Sequence, residues 1–263
     1  MRAPPIAPGV PTLFVDHHVP QGAPEEATVI SGHGADPQPT SSLLSFRCAA
    51  AVADVDDLLW LAALGIIGDM AEASGFAEMD EARRRYGVTV LRKVASLINQ
   101  PRRSASGDPA PALALLFKCR EPKEVLSGIH PETAQLIAAR DEVSAELDVA
   151  RRIAPQVVRT VALILFASPC QVHPLVAQTW TAHIRDRIVM AANTGFRPGW
   201  VHFAVRAAGV IDLIAFLAEH APPGADESYG SGHTKATGGA LRNLDWNIFV
   251  RGLGFGPEME VAV

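Results

Sequence analysis

Leu13-Phe14-Val15-Asp16-His17-His18 is the stretch on which the reading of this chain turns. The apolar run that ends at Val15 reads as a buried strand, and it stops abruptly at an acid and two imidazoles. In open α/β sheets the carboxyl ends of strands are where side chains are handed to a site. One acid and two histidines can bind a divalent metal, the acid through oxygen and the rings through nitrogen. The plain alternative is a turn acid followed by two surface histidines; the apolar run before the tripeptide favours a site. Because the motif begins at residue 16, the expectation is that almost nothing upstream supplies further ligands.

Outward from that stretch, strands and helices alternate. Residues 1–10 are proline-rich and read as a poorly ordered lead-in. A strand over 12–15 is followed by a loop through Pro20, Gly22 and Pro24, a short strand at Thr28-Val29-Ile30, and a turn-rich loop from Ser31 to Pro39. Pro39-Thr40-Ser41-Ser42 caps an Ala-rich helix to about Val52. Asp54 to Ile67 reads as a helix that is apolar nearly all round, and therefore buried. Next come a helix from about Asp80 to Ile98, a loop from Pro101 to Pro111, and a helix from His130-Pro131 to about Ile153 with proline at its first position. That helix is the candidate connector between two domains.

Beyond it the reading is a strand from Val157 to Phe166, a helix from His173 to Asp186, and strands at Ile188 to Ala192 and Val201 to Val205. A helix from Ile211 to His220, a Gly/Ser-rich loop at 224–232, a short strand at Ala240-Leu241 and a closing helix from Trp246 to Leu253 complete it. This alternation implies α/β layers in both halves.

Composition narrows the function classes. The 263 residues are enough for a proper core in one large or two ordinary domains, and 48% hydrophobic residues fit a globular chain. Apolar stretches such as Val161 to Ala167 are too short to span a bilayer, and Met1-Arg2-Ala3-Pro4-Pro5 opens no signal-like apolar run, so the expectation is a cytoplasmic protein without a membrane partner. Cys48, Cys119 and Cys170 lie far apart, which argues against a disulfide framework or a zinc knuckle and for three buried thiols. A net charge of −5 argues against broad binding to duplex DNA but leaves room for arginines lining a cleft for a small anion.

Two further segments carry chemistry. Leu64-Gly65-Ile66-Ile67-Gly68-Asp69-Met70 puts an acid at the end of an apolar helix, where it opposes the macrodipole; a cation would compensate, and the glycines allow close backbone approach. An exposed helix terminus is the plain alternative. In Tyr229-Gly230-Ser231-Gly232-His233-Thr234-Lys235-Ala236-Thr237-Gly238-Gly239, glycines let N–H groups converge on an anion while His233 and Lys235 add charge. A plain flexible loop explains the glycines equally well.

Together these segments resemble the DHH family of phosphoesterases, which includes RecJ-like single-strand exonucleases and the nanoRNA and cyclic-dinucleotide phosphodiesterases. Val15-Asp16-His17-His18 is similar to the motif that names the family, and Leu64 to Asp69 to its following motif, whose acid is a metal ligand. Gly230 to Gly238 resembles the glycine-histidine loop of the associated C-terminal substrate domain, called DHHA1, and Val201 to Arg206 resembles the strand ending in a substrate-contacting arginine. The resemblance implies manganese (or magnesium), with His17 and Asp69 as ligands, Asp16 on the metal or orienting His17, and His18 beside the scissile phosphate. It also implies substrate contacts from Arg206, Gly230, Gly232 and His233. Asn99-Gln100-Pro101-Arg102-Arg103 matches an Asn-x-x-Arg segment at the cleft, so Arg102 or Arg103 could hold phosphate; solvated loop charges carry equal weight.

The chain departs from the family pattern in two ways. The family's two earlier acidic motifs, which complete a two-metal site, are absent, and one member of the glycine triplet is replaced, giving Gly230-Ser231-Gly232. The expectation is an α/β chain with an incomplete parallel-sheet DHH domain over 1–129, a linking helix over 130–156 and a smaller DHHA1-like substrate-binding domain over 157–263. In the family sense it hydrolyses phosphodiester bonds of short single-stranded nucleic acid or a dinucleotide. A truncated gene model, a second polypeptide carrying the missing motifs, a homo-oligomer and a non-catalytic binding module all stay open. Arg83, Arg84 and Arg85 read as a helix face; His33, His130, His173, His183, His202 and His220 as surface or structural; Asn193 and Arg197 as secondary substrate-site candidates.

Overall fold

The structure is a computed structural model that describes residues 10–18, 22, 27–226 and 229–263. The expected lead-in over 1–9 and the loop positions Pro20 and Pro24 lie outside the described residues. Two compact units divide the chain: Met1–Asn99 with Pro109–Ile137, and Gln100–Asp108 with Ala138–Val263. No helix among the described residues is long and apolar enough to cross a membrane.

In the first unit, β1 (Leu13–Asp16) pairs in parallel with β2 (Thr28–Ser31), Asp16 opposite Ser31. They form a two-stranded sheet on which Leu13 and Val29 are 53% and 40% exposed. Six helices follow: α1 (Ser41–Ala50), α2 (Leu59–Gly68), α3 (Ala77–Tyr86), α4 (Val88–Ile98), α5 (Ala110–Lys118) and α6 (Pro122–Leu126). Thr40 caps α1, its hydroxyl accepting from Leu43 N at 3.3 Å, so the hydroxyl of the next residue, Ser41, is left for other work. Gly65 of α2 is required by sterics: a Cβ there would sit 1.8 Å from Ser42 Oγ of α1, whereas one at Gly68 would meet nothing within 4 Å. The core of this unit is Leu43, Trp60, Ile66, Met79, Leu91 and Leu115, with Leu136 from α7 (Pro131–Ala150).

Three expectations need correction here. The helix expected from Asp54 starts as a 3-10 turn, Asp56–Leu58, and becomes α-helical only at Leu59. The single helix expected over 80–98 is two, because Gly87 adopts φ 79 and ψ 128, outside helical space and reachable there only without a side chain. α5 and α6 lie where the sequence pattern suggests no element; each begins at or just after a proline, which marks a helix start here and not a loop. Arg83, Arg84 and Arg85 do form a solvated face, paired with Asp80, Glu81 and Asp56.

The second unit is built on a six-stranded sheet. Its strands are β3 (Gln156–Val158), β4 (Val161–Phe166), β5 (Ile188–Arg197), β6 (Trp200–Ala207), β7 (Ser231–His233) and β8 (Ala236–Arg242), in the order β3-β4-β5-β6-β8-β7. Only β4 and β5 run parallel. Alternate residues of β4 and β5 feed two cores: Leu163, Ile188 and Met190 on one face, Ile164, Phe166, Val189 and Ala191 on the other. Burial on both faces is why these strands read as unbroken apolar runs. The helices are α8 (His173–His183), α9 (Leu213–Glu219) and α10 (Asn243–Gly252). Phe203, Leu217, Trp246 and Phe249 fill the first core; Val143 of α7 and Val176 of α8 fill the second. The strand expected over 157–166 is a hairpin, turned at Arg159 with φ 51.

Candidate functional site

In the first unit the end of β1, the start of α1 and the end of α2 supply one cluster. Asp16 Oδ1 accepts from Ser41 Oγ at 2.8 Å and from His17 N at 2.7 Å, and lies 2.8 Å from His18 Nδ1. Burial pushes this carboxyl up, but the bonds from His18, Ser41 and the backbone outweigh it and hold Asp16 well below the usual carboxylate range. Asp16 is therefore ionised, with its charge turned onto the groups that orient the two histidines.

His17 sits at the centre. Its Nδ1 is 2.8 Å from Ser41 Oγ and 3.1 Å from Ser41 N, and Gln38 Nε2 donates to its carbonyl at 2.7 Å. Ser41 N donates to that ring nitrogen and Ser41 Oγ donates to Asp16, so the ring is held at Nδ1 with Nε2 on its far side. Groups behind the ring that fix its orientation are what a metal-ligating histidine normally has. His17 Nε2 faces Asp69 Oδ2 at 3.8 Å, beyond a hydrogen bond yet within the roughly 4 Å that two atoms bound at about 2.1 Å to one ion can span. Asp69 caps the C-terminal end of α2, where its charge opposes the helix dipole. His18 is 60% exposed and its ring lies 4.2 Å from that of His17. Asp16, His17 and His18 each place a ligand atom within 4.8 Å of the others. The donor set, oxygen and imidazole nitrogen, fits a divalent manganese or magnesium ion.

The second unit holds a different constellation. A pocket of about 240 Å³ is lined by His173, Arg206, Ser231, Thr237 and Gly238 among others. Arg206 Nε is buried without a hydrogen-bond partner. Burial lowers the Arg206 guanidinium, and burial, then Arg102 and Arg206, lowers that of Arg103, yet an arginine stays charged. Among the described residues no carboxylate acts on Arg103 or Arg206, so both are partly buried cations without an acidic counter-charge. Arg103 is placed by the 3-10 turn Pro101–Arg103, and its carbonyl accepts from Gln171 N at 2.8 Å.

The segment from Gly230 to Gly239, expected as an anion-cradling loop, is the β7–β8 hairpin. Gly230 N donates to Gly238 O at 2.9 Å, Gly232 pairs with Thr237 and His233 with Ala236, so these amides serve the ladder. Gly238 is needed because a Cβ there would lie 2.3 Å from Phe203 O of β6. Ser231, Thr237 and Gly238 line the pocket, whereas Gly230, Gly232 and His233 do not. Asn193 is fully buried and spent on backbone, accepting from Ser168 N and Gly195 N and donating to Cys170 O; Arg197 stacks on Trp200.

Three residues escape a reading of the sequence. Ser41 looks like no more than part of a cap. His173 and His202 look isolated, yet their rings are 6.1 Å apart, each has a buried ring nitrogen without a partner, and His173 lines the Arg206 pocket. His202, Ala204 and Arg206 share one face of β6 by strand periodicity, the one signal that could have linked His202 to Arg206 beforehand.

No family model and no curated protein sequence matches the chain. Solved structures do. RecJ from Thermus thermophilus in complex with Mn2+ is similar over 94% of this chain and 41% of that one, with 19% identity and a TM-score of 0.64. Its complex with Mg2+ matches over 92% and 42%, with 19% identity and a TM-score of 0.60. A DHH domain from a member of a family of ribosomal proteins matches over 92% and 63%, with 18% identity and a TM-score of 0.55. This chain thus spans about two fifths of the length of RecJ. Likeness at these identities is a statement about architecture, and that architecture is the α/β fold of the DHH family.

Proposed function

We propose that the protein is a divalent-metal-dependent phosphodiesterase acting on short single-stranded nucleic acid or a dinucleotide. One observation carries this reading: His17, backed by Ser41 and Asp16, turns Nε2 toward the Asp69 carboxylate across 3.8 Å. His17 and Asp69 would hold manganese or magnesium, with Asp16 acting through Ser41 to orient His17. When bound there, such an ion neutralises charge on a phosphoryl group and acidifies water. In the hydrolysis a water oxygen bonds to phosphorus, the bond to the leaving oxygen breaks, and the leaving oxygen takes up a proton. His18, anchored through Nδ1 on Asp16, is the group placed to deliver that proton. Arg206 and Arg103, with Arg102, Ser231 and Thr237 near them, bind substrate phosphate. Gly230, Gly232 and His233 contribute by shaping the hairpin that carries Ser231 and Thr237. Aromatic residues at 6% offer little stacking surface, which favours short substrates.

A second reading has a specific support. Asp16 is heavily engaged in local hydrogen bonds, which leaves His17 and Asp69 as a sparse ligand set for an ion that normally takes about six donors. In that reading the chain binds nucleotides through Arg206 and Arg103 without turnover, or acts beside a second polypeptide that completes the site. The deciding experiment is manganese-dependent hydrolysis of an end-labelled short RNA by this chain, beside Asp69→Ala and His17→Ala. Turnover that both variants abolish supports the enzyme; retained RNA binding with no turnover in manganese or magnesium supports the binding module.

A further inference from the structure

The first unit carries a second group of metal-type side chains, unrelated to Asp16 and His17. Cys119, Glu124 and His130 each place a ligand atom within 4.8 Å of the other two. They come from three successive helix ends: Cys119 caps the C-terminus of α5, Glu124 lies in α6, and His130 immediately precedes α7. Glu132 lies outside that trio but acts on it electrostatically. Glu132 gives one oxygen to Lys118, while its Oε2 is buried and has no hydrogen-bond partner. Its carboxylate acts electrostatically on the Cys119 thiol, and His130 acts on it in turn.

The plain reading makes Cys119 a small core residue and Glu124 a local cap, accepting from Arg120 N at 2.7 Å. That leaves the buried Glu132 oxygen unexplained and sets two carboxylates against a buried thiol. Thiolate, imidazole and carboxylate together suit a borderline-soft divalent ion, in contrast to the oxygen-rich sets that hold magnesium or calcium. Tetrahedral zinc at about 2.0–2.3 Å from its donors holds them about 3.6 Å apart, so side-chain rotations of about 1 Å would close the group around an ion.

We propose that Cys119, Glu124 and His130 form a site for a zinc-class divalent cation, which ties together the end of α5, α6 and the start of α7, with the Glu132 carboxylate adding negative charge to it. Binding converts the Cys119 thiol to thiolate and releases its proton to solvent.

The test is titration of the full chain with cobalt(II) as a spectroscopic stand-in, then displacement by zinc, in wild type, Cys119→Ser, His130→Gln and His17→Ala. The expected result is one thiolate-to-cobalt charge-transfer band in wild type and His17→Ala, lost in Cys119→Ser. Zinc should raise the wild-type Tm, and His130→Gln should lower zinc affinity by more than the roughly 10- to 100-fold that loss of an outer-shell partner costs. His130 is only half-buried and its replacement does not open the core, so this variant decides the matter if Cys119→Ser fails to fold. Absence of the band in wild type, its survival in Cys119→Ser, or unchanged zinc affinity in His130→Gln would overturn the assignment.

Discussion

Ser41→Ala separates a positioning role from a purely structural one. Its hydroxyl lies 2.8 Å from both Asp16 Oδ1 and His17 Nδ1, whose side chains are 19% and 12% exposed. A hydrogen bond to a charged group contributes about 1.5–3 kcal/mol, but Asp16 keeps its bonds from His17 N and His18. The net loss of stability should therefore be about 1–2 kcal/mol. The helix itself is spared, because Thr40 is the cap and alanine is a better helix former than serine. Loss of the group that orients His17 should weaken manganese binding about 10- to 100-fold. Asp16 also loses one of the bonds that depress its carboxyl, so its acidity moves back toward the ordinary 3.8. Since a depressed carboxyl stabilises the fold above its unfolded value and loses that contribution in acid, the stability deficit of Ser41→Ala should be full at neutral pH. It should shrink as the pH falls below about 3.8. Calorimetric titration with manganese, beside urea denaturation and a Thr40→Ala control, measures both quantities. Manganese affinity within twofold of wild type, alongside the expected stability loss, would refute the link from Asp16 through Ser41 to His17.

His173 is held at about 3 by burial, then by His202 and Arg103, against an ordinary 6.5, so it is neutral in the folded state. Its contribution is complete above about 6.5 and is lost as pH falls toward 3, at about 1.4 kcal/mol per pH unit. Urea midpoints between pH 7 and 5 should fall less steeply for His173→Leu, and parallel slopes would show that His173 does not titrate this way. Arg206→Met removes a partly buried cation that no carboxylate pairs, so the fold should hold while binding of a 5′-mononucleotide weakens about tenfold or more; unchanged affinity in a competition assay excludes Arg206 from the phosphate site. Gly238→Ala drives a Cβ against the Phe203 carbonyl 2.3 Å away and should cost about 1–3 kcal/mol by thermal denaturation. Gly209→Ala, with nothing within 4 Å, should stay within about 0.5 kcal/mol.

What the sequence disclosed followed the range of the interactions involved. The Thr40 cap is governed by neighbours a few residues away and is where its local pattern puts it, whereas β1 lies where its apolar run puts it yet is partly exposed, and α2 begins at Leu59 and not at Asp54. Gly87 gives no such warning, because a lone glycine is tolerated inside a helix; its backbone conformation, outside helical space, is what separates α3 from α4. The glycines of β8 read as loop but form strand. They suggest a ligand loop, but Gly238 answers to a carbonyl of β6, thirty-odd residues earlier, and a strand poor in side chains shows no alternation to read. The sites divide in the same way. Asp16, His17 and His18 are contiguous and legible, whereas Ser41 meets His17 across 24 residues and has a second, ordinary explanation at a helix start. His173 and His202 acquire meaning only when α8 packs on β6, and Arg103 only when a turn remote in sequence brings its charge toward Arg206. Buried polar atoms without partners, on His173, His202, Arg206 and Glu132, are the trace such meetings leave, and they become visible only once the chain has folded.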